Sequence, residues 1–328
     1  MLKIAYLALG LGLLAAVLVN VDVSEAVGMT ARVGWGFAFV VLIYFAEFIA
    51  DCLTWQIALV GVPLNPTWLY RAWKVRMVGE VFNTVIPAAG VGGEPLKAEL
   101  LKRHYGVDYR DGAASIILAK TVNMIALVLF LAGGLVLTVA SPALPDSFDV
   151  LAGAAMAALV AGTGVFYAAQ RFELSSRLGA WLGARPIGRP LSSALAHIAD
   201  TDAKLIRFYV GHRLRFAAAV GLGLVNWLLG VFEVYVTMHF LGHPVSLADA
   251  WIIEAGAQLV RVGVFFVPAG IGVQEGAFAL ICAALTGSPA LGVAAALVRR
   301  VREVVWLIWG AAIGGAFAFK RKSTIRPD

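Results

Sequence analysis

Long apolar runs alternate with short polar connections over most of the chain. A helix needs about 20 residues to cross the roughly 30 Å hydrocarbon core of a bilayer. Runs of that order occupy residues 4–21, 33–60, 113–140, 150–169, 214–241 and 290–319, which predicts six spanning helices. Two further apolar segments, 68–101 and 250–285, are interrupted by Pro and Gly and carry charged side chains. Lipid does not tolerate irregular backbone unless protein or water covers it. Both segments therefore predict broken helical hairpins that re-enter the membrane, and the expected fold is an all-α polytopic membrane protein.

The chain also resembles itself. Superposing Gly61 on Gly242 brings Pro63 onto Pro244, Pro87 onto Pro268, Ala88 onto Ala269 and Glu94 onto Glu275. After one gap the match continues through Gly112 with Gly292, Lys120 with Arg300, Asn123 with Glu303 and Leu127 with Leu307. Common spacing of Pro, Gly and an intramembrane carboxylate is a repeat signal rather than chance similarity of apolar helices. Each unit is a span, a hairpin and a span, over 33–140 and 214–319. Residues 1–32 supply a first span and an outer loop, 141–213 a fourth span and a basic connector, and 320–328 a basic tail. The helices that open the two units cross in opposite directions, so the repeat is of inverted topology. In that arrangement broken helices meet near the midplane and build a substrate site.

Composition narrows the class. Of 328 residues, 61% are hydrophobic and 14% charged, which excludes a water-soluble enzyme. Cys52 and Cys282 each stand alone in an apolar run, so neither a disulfide scaffold nor a cysteine-ligated zinc module is expected. The net charge of +6 is distributed by loop. Lys and Arg gather in 71–110, 171–215 and 320–326, whereas the connections 22–32, 141–149 and 242–249 hold only Arg32. The positive-inside rule then puts both termini in the cytoplasm, and the positive excess concerns membrane orientation rather than a nucleic-acid partner. The first span has a competing reading as a cleavable signal peptide, since small residues Ser24 and Ala26 follow it. Residues 191–209 have the spacing of an amphipathic helix on the inner leaflet, although a solvated connector fits them better.

Candidate chemistry lies in the hydrocarbon zone. Arg76, Glu80 and Asn83 share one helical face of the first hairpin, and Glu254, Gln258 and Arg261 repeat the spacing in the second. Each stripe is expected to pair its carboxylate with its guanidinium, because an unpaired charge at the bilayer centre costs about 3 kcal/mol or more. A structural ion pair explains the stripes as well as ligand contact does. Glycine-rich turns precede Glu94 and Glu275 and leave amides at the start of each returning helix, where an anion is attracted. Capping by the glutamates themselves is an equal alternative. Lys120 and Asn123 sit deep in one span, and Arg299, Arg300, Arg302 and Glu303 in another, with Arg299 and Glu303 spaced to pair. Glu47 and Asp51, one turn apart, require a cation or a proton between them. His239 and His243 are separated by a helix break and are not expected to bind metal. No cofactor motif is present.

At these residues the chain resembles the lysylphosphatidylglycerol synthase transmembrane, flippase-like family, and within it the stand-alone hopanoid-associated HpnL type. Asn83, Pro87, Gly93, Glu94 and Lys97 follow the family's pattern, as do residues 267–272 with Glu275. The resemblance covers nearly the whole chain and implies an inner-membrane protein that moves a lipid between leaflets, a hopanoid or an anionic or aminoacylated phospholipid. It does not imply aminoacyl transfer, a chemistry of a fused soluble domain. The expected function is a lipid flippase, not an enzyme, whose substrate site comprises Arg76, Glu80, Asn83, Glu94, Lys97, Lys120, Glu254, Arg261, Glu275, Arg299, Arg300, Arg302 and Glu303. Glu94 or Glu275 is a proton candidate, and lipid-synthesis enzymes and a second copy are candidate partners. Two other classes stay open at this stage, a membrane lipid-modifying enzyme and a non-transporting scaffold.

Overall fold

The computed structural model describes residues 19, 22–85, 92–172, 208, 211–264, 267 and 270–319. The 4–21 span, nearly all of the 191–209 segment, the basic tail, Pro87 and Pro268 lie outside them. The described residues form ten helices: α1 (Val23–Arg32), α2 (Gly36–Ala58), α3 (Pro66–Val85), α4 (Glu94–Tyr105), α5 (Tyr109–Ala140), α6 (Asp146–Arg171), α7 (Arg213–Phe240), α8 (Leu247–Gly263), α9 (Val273–Thr286) and α10 (Pro289–Phe319). Local chemistry sets many of their ends. Ser246 and Asp249 form a capping box at the start of α8, and Gly106 and Gly287 adopt left-handed backbone just past α4 and α9.

Helices α2, α5 and α7, and residues Val150–Ala168 of α6, are long and apolar enough to cross a membrane. Valines such as Val136, Val139 and Val165 are exposed on their outer faces, where lipid takes the place of a protein neighbour. Helix α10 corresponds to the predicted run 290–319 and is about 46 Å long at 1.5 Å per residue. It is less uniformly apolar than a lipid-facing span, because Arg299, Arg300, Arg302 and Glu303 occupy its middle. One expectation is corrected: residues 22–32, read as an outer loop, include the helix α1. Asp22 caps it by accepting the Glu25 amide at 3.0 Å, and the Thr30 hydroxyl lies 3.4 Å from the Ala294 carbonyl oxygen of α10. The segment is short and mixed in polarity, so periodicity alone did not reveal it.

Helices α2 and α7 form the centre and run antiparallel. Gly36 at the start of α2 meets the Phe240 ring at the end of α7, while Ala58 at the other end clusters with Phe216. Around this pair α3 folds back onto α4, and α8 onto α9, as two helical hairpins. Each hairpin touches the long helix that follows it, and its leading helix packs on the long helix of the other half: α3 on α10 and α8 on α5. Trp251 of α8 donates its indole N–H to the Phe130 carbonyl of α5 at 3.1 Å.

The sequence repeat recurs in these contacts. A Cβ placed on Gly112 would lie 3.4 Å from the Ala98 Cα, and one on Gly292 would lie 2.7 Å from the Ala279 Cα. Gly112 corresponds to Gly292, and Ala98 to Ala279, under the same superposition that pairs Glu94 with Glu275. The returning helix of each hairpin thus crosses its long neighbour at the same glycine. Small residues at such crossings allow backbones to approach where lipid supplies no hydrophobic drive for association.

Candidate functional site

The interior between the hairpins is charged. In the first half Arg76 of α3 pairs with Asp51 of α2 and stands 3.6 Å from Glu80, so the predicted Arg76–Glu80 contact is present but secondary. Of the pair Glu47 and Asp51, Asp51 thus has its cation from another helix, in Arg76. Asn83 ties the hairpin together: its side-chain oxygen accepts the Gly93 amide at 2.7 Å, and its amide group lies 3.3 Å from Glu94 and 3.4 Å from Glu80. Glu94, first residue of α4, is held by Lys97 at 3.2 Å and by Lys120 of α5 at 3.1 Å. Lys97 is only 3% exposed, an extreme degree of burial for a lysine.

The second half is built on α10. Arg299 donates to Glu254 of α8 at 2.5 Å and lies 3.5 Å from Glu233 of α7. Arg302 pairs with the other oxygen of Glu233 and lies over the Tyr44 ring at 3.7 Å. Gln258 donates to Glu254 at 2.8 Å. Arg300 donates to Glu275 at 2.6 Å, to Glu303 at 2.9 Å and to the Gly270 carbonyl at 3.0 Å. Glu275 also accepts the Gly272 amide at 2.8 Å, so it is at once the cap of α9 and an ion-pair partner.

Two expected pairings are corrected. Glu254 binds Arg299, not Arg261, and Glu303 binds Arg300, not Arg299. Helical spacing identified groups that share a face, but Glu254 meets a nearer partner on another helix, while Glu303 pairs with the i−3 residue of its own helix and Arg299 is engaged by α7 and α8. Sequence reasoning missed Glu233 entirely. Its signal was available, since it is the lone acidic residue of the apolar run 214–241.

These groups surround a cavity of about 220 Å³. Its wall takes Tyr44 and Glu47 from α2, Glu80 from α3, Asn226 from α7, Glu254 and Arg261 from α8, and Arg299, Arg302 and Glu303 from α10. Both leading hairpin helices contribute. Arg261 faces the cavity without an ion pair among the described residues. A smaller recess of about 30 Å³ holds Asp51, Arg76, Glu94, Lys97, Lys120 and Asn123. On the far side of the α2–α3–α10 wall lies an apolar groove of about 270 Å³, lined by residues including Phe45, Ile49, Leu69, Trp73 and Trp309. Trp306 on the cavity side and Trp309 on the groove side are in edge contact, with ring centres 5.3 Å apart. No group of three or more His, Cys, Asp or Glu with metal-binding geometry occurs among the described residues.

Of the thirteen expected site residues, Glu80, Glu254, Arg261, Arg299, Arg302 and Glu303 line the cavity, Arg76, Glu94, Lys97 and Lys120 line the recess, and Asn83, Glu275 and Arg300 line neither. The arrangement offers compensated charge, one uncommitted guanidinium and adjacent apolar surface, which together can shelter a polar head while leaving a hydrocarbon tail in lipid. No curated protein and no solved structure matches the chain. A match to the lysylphosphatidylglycerol synthase TM region extends over residues 3–310. Nearly the whole sequence is covered, and the chain therefore belongs to this family of multi-pass membrane proteins with a lipid-related function.

Proposed function

We propose that the protein is a flippase that moves a polar-headed lipid between leaflets of the inner membrane. The observation that carries this reading is the charged cavity, walled by the leading helices of both hairpins and backed by an apolar aromatic groove. The head group enters the cavity and its tail stays along Phe45, Trp73 and Trp309. Dehydrating a charged head group is costly, and ionic side chains already fixed in the cavity offset that cost. Arg261, uncommitted to a carboxylate, suits a phosphate or other anionic head group. A hopanoid intermediate or an anionic or aminoacylated phospholipid is the substrate class.

The hairpins re-enter from opposite faces, both termini are cytoplasmic, and the two halves exchange roles to open the cavity to either side. The antiparallel α2 and α7 and the repeated glycine crossings support that inverted geometry. Covalent lipid chemistry is not required of this site.

The test is leaflet exchange of a fluorescently labelled phosphatidylglycerol in vesicles reconstituted with the full chain. The protein accelerates exchange over protein-free vesicles, and Glu94→Gln and Arg300→Gln lower the rate. An exchange rate equal to that of empty vesicles sinks the transporter reading, and chromatographic appearance of a modified lipid replaces it with an enzyme.

A further inference from the structure

One carboxylate of the interior is left over when the others have been assigned cations. Glu94 is held by Lys97 and Lys120, while Asp51 and Glu80 share Arg76. On the second half Glu233 and Glu254 share Arg299 and Arg302, and Arg300 serves Glu275 and Glu303. Glu47 of α2 makes no ion pair among the described residues. It lines the cavity, and its Oε1 is buried with no protein group donating to it.

The groups around it explain why this matters. Glu233 of α7 and Glu254 of α8 repel a charge on it, and Arg302 and Arg299 of α10 attract one. Glu80 of α3 and Glu303 of α10 line the same cavity, as does Arg261 of α8, and Tyr44 lies one turn away on α2. Arg299 and Arg302 are already engaged by other carboxylates, and Arg261 makes no ion pair with it. An ionised Glu47 in this arrangement is an uncompensated charge, whereas a neutral carboxylic acid is not.

Arg302 supplies the second observation. Its Nη1 donates to Glu233 and its guanidinium covers Tyr44, yet its Nε is buried and donates to no acceptor. An acceptor without a donor and a donor without an acceptor thus sit in one interior. Buried polar groups left in that condition are rare and call for an explanation.

We infer that Glu47 is a proton-binding site of the cavity, with Arg302 as the partner that receives it when the proton leaves. In the arrangement described, the proton resides on Glu47 and Arg302 is committed to Glu233. On release the carboxyl O–H breaks heterolytically, the proton passes out through the cavity, and the carboxylate accepts a hydrogen bond from Arg302 Nε. Each state leaves fewer stranded charges than an ionised Glu47 would in the present geometry. The coupling role rests on the transporter reading above and supplies its driving force: proton movement through Glu47 shifts the ion pair that Arg302, on the cavity wall, makes with Glu233.

Two measurements on the full chain test it. Difference infrared spectroscopy of the purified protein at neutral pH shows the carbonyl stretch of a neutral carboxylic acid, and Glu47→Gln loses that band while Glu47→Asp keeps one at a shifted frequency. A band of unchanged intensity in Glu47→Gln overturns the inference. In vesicles carrying labelled phosphatidylglycerol, an imposed pH gradient changes the exchange rate of the wild type and leaves that of Glu47→Gln unaltered. A wild-type rate indifferent to the gradient overturns coupling. Absence of exchange in every sample, with the infrared band assigned to Glu47, sinks the transporter reading and leaves the proton site standing.

Discussion

Lys120 and Arg300 occupy matching places in the two halves, as do Glu94 and Glu275, yet the ion clusters they form are electrostatic opposites. On the first half one carboxylate lies between two lysines, Lys97 and Lys120. On the second, one guanidinium lies between two carboxylates, Glu275 and Glu303. The backbone crossing at Gly112 and Gly292 is shared, but the local charge changes sign. Duplication has kept the frame while side-chain substitution made one side cationic and the other anionic. The choice of cation follows: a lysine presents a point charge to one carboxylate, whereas the arginine fork serves two and a backbone carbonyl besides.

The largest expected effect comes from removing the cation that joins α7 and α8. Arg299→Met leaves Glu254 without an ion pair and Glu233 with Arg302 alone, all three nearly buried, and costs about 3–5 kcal/mol, as is typical of breaking a buried ion pair. Thermal unfolding in detergent reads it, and an unchanged midpoint contradicts the assigned pairing. Next is a comparison of the two crossings. Gly292→Ala places a methyl 2.2 Å from the Phe278 carbonyl oxygen and costs about 1–3 kcal/mol, while Gly112→Ala, with its nearest neighbour at 3.4 Å, is close to neutral. Equal losses in both variants remove the asymmetry claimed for the two halves.

The repeat was legible in sequence because Gly, Pro and the first acidic residue of a helix report local backbone needs, which travel with the chain. Gly112, Gly292, Glu94 and Glu275 were found in that way. Partner choice was not legible. Arg299, Arg300 and Arg302 lie within one turn of each other, and a rotation of α10 by a single residue would exchange their carboxylates. Only the packing of α10 against α3, α7 and α9 decides which guanidinium meets Glu233, Glu254 or Glu275. Glu47 and Glu233 stand out along the chain only as acidic residues in apolar runs, since the groups that surround them come from helices far away in sequence.

A smaller effect separates stability from transport. Lys120 is half-exposed and Glu94 keeps Lys97 without it, so Lys120→Met changes stability by less than about 1 kcal/mol. Its lipid exchange nevertheless falls, because the recess loses one of the three cations that line it. A variant that exchanges lipid at the wild-type rate confines the working charges to the second half.

The smallest effect lies outside the spans, at Asp22. The Glu25 amide and then the Ser24 hydroxyl hold its carboxyl below the ordinary aspartate range. A carboxyl depressed in the folded state stabilises above its unfolded value and loses that contribution as pH falls through the folded one. Hydrogen exchange of α1 in Asp22→Asn therefore exceeds wild type at neutral pH, and the two converge in acid. A difference that persists in acid assigns the cap to hydrogen-bond geometry alone.

The stem of Lys97 passes over Gly79 so closely that a Cβ there would fall 2.2 Å from its Cε. An uncharged position on α3 therefore governs where a positive charge is delivered. Adding a single methyl at residue 79 would displace the ammonium from Glu94 without altering any ionisable group, making steric relief at one glycine the control over the electrostatics of the first half.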